Sequence, residues 1–186
     1  MTRTPEVIGV AGTNASGKNT LGGYLVKNFG YVHVSTGDMV RAEAMKQFGN
    51  IERETLQKVA PAYRQAKGAG VFVDLALDGG QRPIVVDGIR ALGEARAVKK
   101  AGGVIVFVDA DPTVRYRRMK GRARDAESQK TFEEFMQLDE NERQAGAGEA
   151  DYNVAAIRDL ADIHLDNSGD PEDFYRQIRE KLFGAK

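Results

Sequence analysis

The sequence of 186 residues has no cysteine, and its 27 acidic and 27 basic residues leave a formal net charge of zero. Without cysteine there is no disulfide framework and no thiolate metal site. Without net charge, bulk electrostatics give no pull toward nucleic acid or membrane. No apolar run approaches the ~20 residues that a membrane helix needs. The start, Met1-Thr2-Arg3-Thr4-Pro5, lacks a signal-peptide pattern, and the apolar run at 7–11 is too short for one. No repeat, low-complexity tract or linker is present. A cytoplasmic protein of one compact domain over 1–186 is the expectation, with roughly 70% of the chain's surface buried on folding.

What the chain does have is a glycine-flanked loop between a strand and a helix. The apolar run Val7-Ile8-Gly9-Val10-Ala11 leads directly into Gly12-Thr13-Asn14-Ala15-Ser16-Gly17-Lys18-Asn19-Thr20. That order aims successive backbone N–H groups and a helix N-terminus at one anion. Gly12 and Gly17 permit the tight turn, and Lys18 reaches the β/γ-phosphates. The strict pattern wants a hydroxyl directly after the lysine, but that place holds Asn19 and the threonine follows at Thr20.

Alternating strands and helices follow. Strands are expected at 31–34, 83–87, 104–108 and 161–165, giving five parallel strands with the first. Pro61 should kink or end the helix predicted over 51–68, and the stretch 71–77 reads as helix. Gly22 and Gly23 on the first helix suggest close packing against the sheet. Asp111-Pro112 and Asp170-Pro171 read as helix starts, and Thr131-Phe132-Glu133-Glu134 has the capping-box pattern. His33 and His164 read as structural residues. The pattern implies a doubly wound α/β domain with helical insertions.

Three segments are candidates, the first two at strand ends, where open α/β sheets bind ligands, and the third on a helix and the stretch after it. They are Ser35-Thr36-Gly37-Asp38-Met39-Val40-Arg41, Asp87-Gly88-Ile89-Arg90 and the basic run 115–124. Asp87 is a candidate Mg²⁺ ligand through water, together with Thr20. Arg118, Arg122 and Arg124 are expected to close over the phosphates, with Gly121 as the break. Arg115 and Arg117 are expected to face solvent.

On these motifs the chain resembles P-loop kinases of small phosphorylated metabolites, above all adenylate-kinase-related nucleoside monophosphate kinases. That family also places one residue between the lysine and the threonine. The segment 35–41 is similar to its acceptor-nucleotide segment, and Asp87-Gly88-Ile89-Arg90 to its Asp-Gly-Phe-Pro-Arg, one residue shorter. The resemblance implies a three-layer α/β/α P-loop fold, with an acceptor-binding insertion at about 36–80 and a lid at about 119–150. It implies ATP and Mg²⁺ held by Gly12, Asn14, Ala15, Ser16, Gly17, Lys18, Asn19 and Thr20. Thr36, Asp38, Arg41 and Arg90 then serve the acceptor, while Lys18, Asp87, Arg118, Arg122 and Arg124 serve the transfer. Dephospho-coenzyme A kinases are the nearest rival, and their C-terminal turn suggests adenine contact from Asn167 or Ser168.

Phosphoryl transfer to a nucleoside or deoxynucleoside monophosphate is therefore the leading expectation. Its partner is a small-molecule nucleotide, with no membrane or nucleic acid, and the protein is a monomer or small homo-oligomer. A water-splitting ATPase would place glutamate after the strand-end aspartate, where Gly88 stands, and no Asn-Lys-x-Asp guanine motif is present. In the dephospho-coenzyme A reading Asp38 takes the ribose proton; in the nucleotide reading it helps hold metal-bound water. A non-catalytic nucleotide- or RNA-binding protein using the basic run is the third alternative.

Overall fold

In a computed structural model, residues 4–121, 129–143, 146 and 148–184 are described. The chain runs β1 (Val7–Gly12), α1 (Lys18–Phe29), β2 (Val32–Ser35), α2 (Thr36–Phe48), α3 (Arg53–Lys67), α4 (Val71–Asp78), β3 (Ile84–Ile89), α5 (Leu92–Lys100), β4 (Val104–Asp109), α6 (Pro112–Gly121), α7 (Phe132–Arg143), α8 (Val154–Leu160), β5 (Ile163–Asp166) and α9 (Pro171–Phe183). The five strands are all parallel, in the order β2-β3-β1-β4-β5. β1 is central, so its C-terminal end opens where the strand order reverses, and the loop of residues 12–17 lies there.

The sheet buries both faces, which is why β1, β3 and β4 are near-continuous apolar runs. One face carries Val86, Ile105 and Phe107 against Val73, Ala95, Val98 and Ile157 of α4, α5 and α8. The other carries Ile8, Val10, Val85 and Val106 against Leu21 and Leu25 of α1 and Phe174, Ile178 and Leu182 of α9. At about 25 cal/mol per Å² of apolar surface removed from water, these two layers dominate the stabilising side of the fold. A third cluster joins α2, α3 and α4 through Val40, Ala44, Val59, Ala60 and Phe72.

The local signals hold with particular exceptions. Thr131 and Glu134 form the reciprocal box, Glu134 N donating to Thr131 Oγ1 at 3.2 Å and Thr131 N to Glu134 Oε2 at 2.7 Å. A Cβ at Gly22 would lie 2.8 Å from the His33 ring, so α1 does approach the sheet there; Gly23 faces open space. α3 continues through Pro61 rather than ending there. The backbone bond lost to the imide is outweighed by packing of Val59, Ala60 and Arg64 on either side. β3 extends two residues past Asp87, through a register shift between Val10 and Ala11 of β1. Helix α8 was not anticipated; it is a two-turn element capped by Asn153, whose side chain accepts from Ala156 N at 3.0 Å.

One buried ion pair ties the helices to the sheet. Glu94 is fully buried at the third position of α5. Its Oε1 accepts from Arg64 Nε at 2.8 Å, and its Oε2 accepts from the Arg90 and Ala91 amides at 2.8 and 3.2 Å. The Arg64 guanidinium stacks between Phe72 and Tyr152, at 5.5 and 5.2 Å from the ring centroids. Removing one partner strands a charge in the interior. Glu94→Ala should cost about 3–5 kcal/mol, and for a chain of this size lower the melting temperature by on the order of 10 °C. Calorimetry checks this, and a shift under 2 °C would show that water reaches Arg64.

Candidate active site

Loop residues 12–17 connect β1 to α1 with three residues in the left-handed region: Gly12 at φ 148°, Ala15 at 59° and Gly17 at 105°. A Cβ on Gly12 would fall 2.0 Å from the Val108 carbonyl oxygen, and one on Gly17 would fall 2.1 Å from Asn167 Nδ2. Both positions therefore require glycine for space as well as for φ. The loop curls over the start of α1, whose first-turn N–H groups have no intrahelical acceptor.

Side chains from distant elements hold the loop from behind. Thr13 Oγ1 donates to Asp109 Oδ1 at 2.6 Å, Arg115 Nη1 to the Asn14 carbonyl at 3.3 Å, and Asn167 Nδ2 to the Ser16 carbonyl at 2.7 Å. Lys18 Nζ bends back onto the Gly12 and Thr13 carbonyls at 3.0 and 2.7 Å, at the mouth of the loop. Among the described residues, Ser16 Oγ and Arg118 Nη1 are buried polar atoms without a partner. Arg118 donates through Nη2 to the Asn167 carbonyl at 2.8 Å, and burial lowers its pKa. Asn19 and Thr20 are exposed on the outer side of α1.

Arg115 corrects the sequence expectation. Instead of facing solvent it is 4% exposed. It donates to the Ala110 carbonyl at 2.9 Å and to Asp139 Oδ2 at 2.5 Å, and lies 5.4 Å from the Phe135 centroid. Its spacing on α6 puts it toward the loop, opposite Arg117, which is exposed as expected. Arg122 and Arg124 lie outside the described residues.

Asp87 sits in β3 beside β1, 3% exposed. His33 Nε2 approaches its Oδ2 at 2.6 Å. Burial would raise the Asp87 carboxyl, but hydrogen bonds from His33 and Ser35 and the charges of His33 and Lys18 hold it below the usual carboxylate range. The bond to Asp87 in turn raises the His33 pKa against the opposing effect of burial. His33, read from sequence as structural, is thus a direct neighbour of the candidate carboxylate. The alternation of β2 showed only a half-buried position, not the partner one strand away.

A cavity of about 200 Å³ opens against loop residues Asn14 and Ala15. Thr36, Arg41 and Arg90 line it, as the motifs suggested, joined by Arg53, Arg64, Glu142 and Tyr152. Thr36 Oγ1 donates to the Gly88 carbonyl at 2.9 Å, fixing the start of α2 against β3. Arg41 pairs with Asp38, whose exposed side chain is not among those lining the cavity. Arg90 pairs with Glu142 at 2.7 Å, and that carboxylate raises its pKa. Glu142 also pairs with Arg53. One signal for the missed residues existed: Arg64 interrupts the apolar stripe of α3. Glu142 had none.

Asn167 is 6% exposed and engaged under the loop, while Ser168 Oγ accepts from Asp111 N at 2.8 Å. Among the described residues no group of three His, Cys, Asp or Glu is placed to hold a metal ion. A metal here would rest on Asp87 and on ligands brought by a bound phosphate, which suits Mg²⁺ because it keeps several waters. No helix among the described residues is long and apolar enough to cross a membrane.

Comparison with known proteins agrees with this geometry. The AAA domain family matches residues 8–145. A UPF0200 protein of Thermococcus kodakarensis is 30% identical over 94% of this chain and 95% of its own. Among solved structures, shikimate kinase from Bacteroides thetaiotaomicron superposes with a TM-score of 0.65, at 13% identity over 96% of this chain and 98% of that one. A gluconokinase from Sinorhizobium meliloti gives a TM-score of 0.53, at 19% identity over 97% and 93%. The fold is that of P-loop kinases.

The His33–Asp87 pair carries a pH signature. The depressed Asp87 pKa contributes stability above its unfolded value near 4, lost as pH falls through the folded value. The raised His33 pKa contributes stability below about 6.5, lost as pH rises through the folded value. The pair is therefore worth most between about pH 4 and 6.5. The melting-temperature difference between wild type and His33→Gln should be largest near pH 5.5 and shrink toward pH 9. A pH-independent difference would mean that His33 is neutral throughout.

Proposed function

We propose that this chain, which belongs to the AAA domain family and to the UPF0200 proteins, transfers a phosphoryl group from ATP to a nucleoside or deoxynucleoside monophosphate. The observation that carries the reading is the opening of an arginine-lined cavity directly on the phosphate-loop residues Asn14 and Ala15. Donor and acceptor phosphates bound on the two sides of that contact would face each other, and transfer between them is mostly positioning and charge stabilisation.

In this reading the backbone of Gly12, Asn14, Ala15, Ser16 and Gly17, with Lys18, holds the ATP phosphates. The unpartnered Arg118 Nη1 and Ser16 Oγ are the polar atoms that a bound nucleotide would satisfy. Asn19 and Thr20 flank the first turn, and Asn167 braces the loop beneath the nucleotide. Asp87 would hold Mg²⁺ through water, where the ion would supply positive charge to the transferring phosphates, while Thr20, exposed on the outer side of α1, does not line the cavity. Arg41 and Arg90 grip the acceptor's phosphate, since a planar guanidinium can donate two bonds to it. Helices over 36–80 form the acceptor wall and the segment 119–150 the cover. Arg122 and Arg124, expected from the sequence to close over the phosphates, lie outside the described residues.

A nucleotide phosphate is already an anionic nucleophile and needs no base. The exposure of Asp38 and its pairing with Arg41 support this acceptor over a ribose hydroxyl, which needs a carboxylate inside the cavity.

The primary test is an ADP-release screen with ATP against nucleoside monophosphates, deoxynucleotides and dephospho-coenzyme A. One nucleoside monophosphate should turn over well above the rest, and no turnover with any of them would sink the assignment. Lys18→Ala should stay folded by circular dichroism and lose two to three orders of magnitude in kcat, about 3–4 kcal/mol. Arg41→Lys and Arg90→Lys should raise the acceptor KM far more than the ATP KM. The reverse pattern would put those arginines on the donor side.

A further inference from the structure

The cavity already contains an anion, and it is the protein's own. Glu142 lies in the last turn of α7, with each carboxylate oxygen on a different guanidinium: Oε1 on Arg53 of α3 and Oε2 on Arg90 after β3. Its side chain is 12% exposed, yet it stays ionised, because the charges of Arg90, Arg53 and Lys18 outweigh burial. An acid in a helix's last turn faces the negative end of the macrodipole, so local preference argues against this residue here. A broken local rule with a specific compensating contact marks a functional position.

We propose that Glu142 is an internal stand-in for the acceptor's anionic group, occupying Arg53 and Arg90 until a phosphate monoester displaces it. The identity of the displacing ligand rests on the phosphotransferase reading; the placeholder role rests on the two ion pairs. A phosphate presents oxygens to both guanidinium groups as the carboxylate does, and it adds a further oxygen and a second charge. A singly charged carboxylate ligand exchanges with Glu142 charge for charge and gains little. The cavity therefore selects phosphomonoesters over carboxylates, and an arriving acceptor releases the end of α7 from α3 and from the segment after β3. Until then the two arginines are kept in their binding arrangement, and the face of the cavity beside Lys18 stays filled.

The test titrates inorganic phosphate and acetate into wild type, Glu142→Gln and the Glu142→Gln/Arg90→Ala double variant by calorimetry. Phosphate should bind Glu142→Gln at least tenfold more tightly than wild type, roughly 1.4 kcal/mol. The gain should vanish in the double variant, which separates this cavity from the phosphate loop. Acetate should bind wild type far more weakly than phosphate. Equal or weaker phosphate binding by Glu142→Gln would overturn the proposal, showing that the carboxylate only holds the arginines in place. Acetate binding wild type as well as phosphate would overturn the selectivity.

Wild type alone supplies a measurement that needs no variant. Phosphate should speed amide hydrogen exchange at the C-terminal end of α7, and unchanged or slower exchange there would overturn displacement. None of these readouts uses ATP turnover, so a failed ADP-release screen would remove the kinase reading while leaving the placeholder to stand or fall by itself.

Discussion

The phosphate loop keeps its shape because its carbonyls and one hydroxyl are bonded from behind. Thr13, Asn14 and Ser16 are each held by a side chain from a different element: Asp109 at the end of β4, Arg115 on α6, and Asn167 after β5. These bonds engage the Thr13 hydroxyl as a donor and the Asn14 and Ser16 carbonyls as acceptors. Ala15 at φ 59° is a non-glycine residue in the left-handed region, a strain on the order of 1 kcal/mol that such bracing sustains. A loop fixed in this way need not reorganise when charge arrives, which is the condition under which backbone dipoles stabilise a transferring phosphoryl group most.

The same economy governs the charges. A composition of zero net charge conceals specific pairings around the cavity, Arg41 with Asp38, Arg64 with Glu94, and Arg90 and Arg53 with Glu142, and behind the loop, Arg115 with Asp139. Buried ion pairs add little net stability, because desolvation offsets attraction. Their effect is positional. Arg64 and Arg115 are each pinned by a carboxylate, backbone carbonyls and an aromatic face, so both are parts of the frame. Arg41 and Arg90 are held by a carboxylate on one side and open to the cavity on the other.

What the sequence revealed follows from the range of the interactions involved. The loop, the sheet class and most of the helix starts are local patterns, and Gly12 to Lys18, the capping box at Thr131 and the proline-led helices were legible one turn at a time. So were Thr36, Arg41 and Arg90, because each follows a strand whose C-terminal end must face the cleft. Residues whose meaning depends on a distant partner were not legible. His33 matters because Asp87 lies one strand away, Arg115 because α7 covers it, and Glu142 because two other segments deliver its arginines. The continuation of α3 past Pro61 has the same origin, since tertiary packing outweighed a local penalty. In the basic run 115–124, Arg117 is exposed as expected and Arg115 is buried, the two lying on opposite faces of the same helix.

These distances in sequence also order the construction of the site. Ser16 and its bracing Asn167 are 151 residues apart, and Asn167 N is itself held by the Asp109 carbonyl at 2.8 Å. The Asn167 brace thus exists only once β5 lies against β4, the last edge of the sheet in chain order. β1 can pair with β3 and β4 earlier, but pairing alone leaves Gly17 without the neighbour that demands its lack of a side chain. Until then the loop has only the braces from Asp109 and Arg115, and less offsets the strain of its left-handed residues. The shape of this loop is therefore in part a property of the completed sheet, since one of its braces comes from a C-terminal segment that carries no residue of the loop motif.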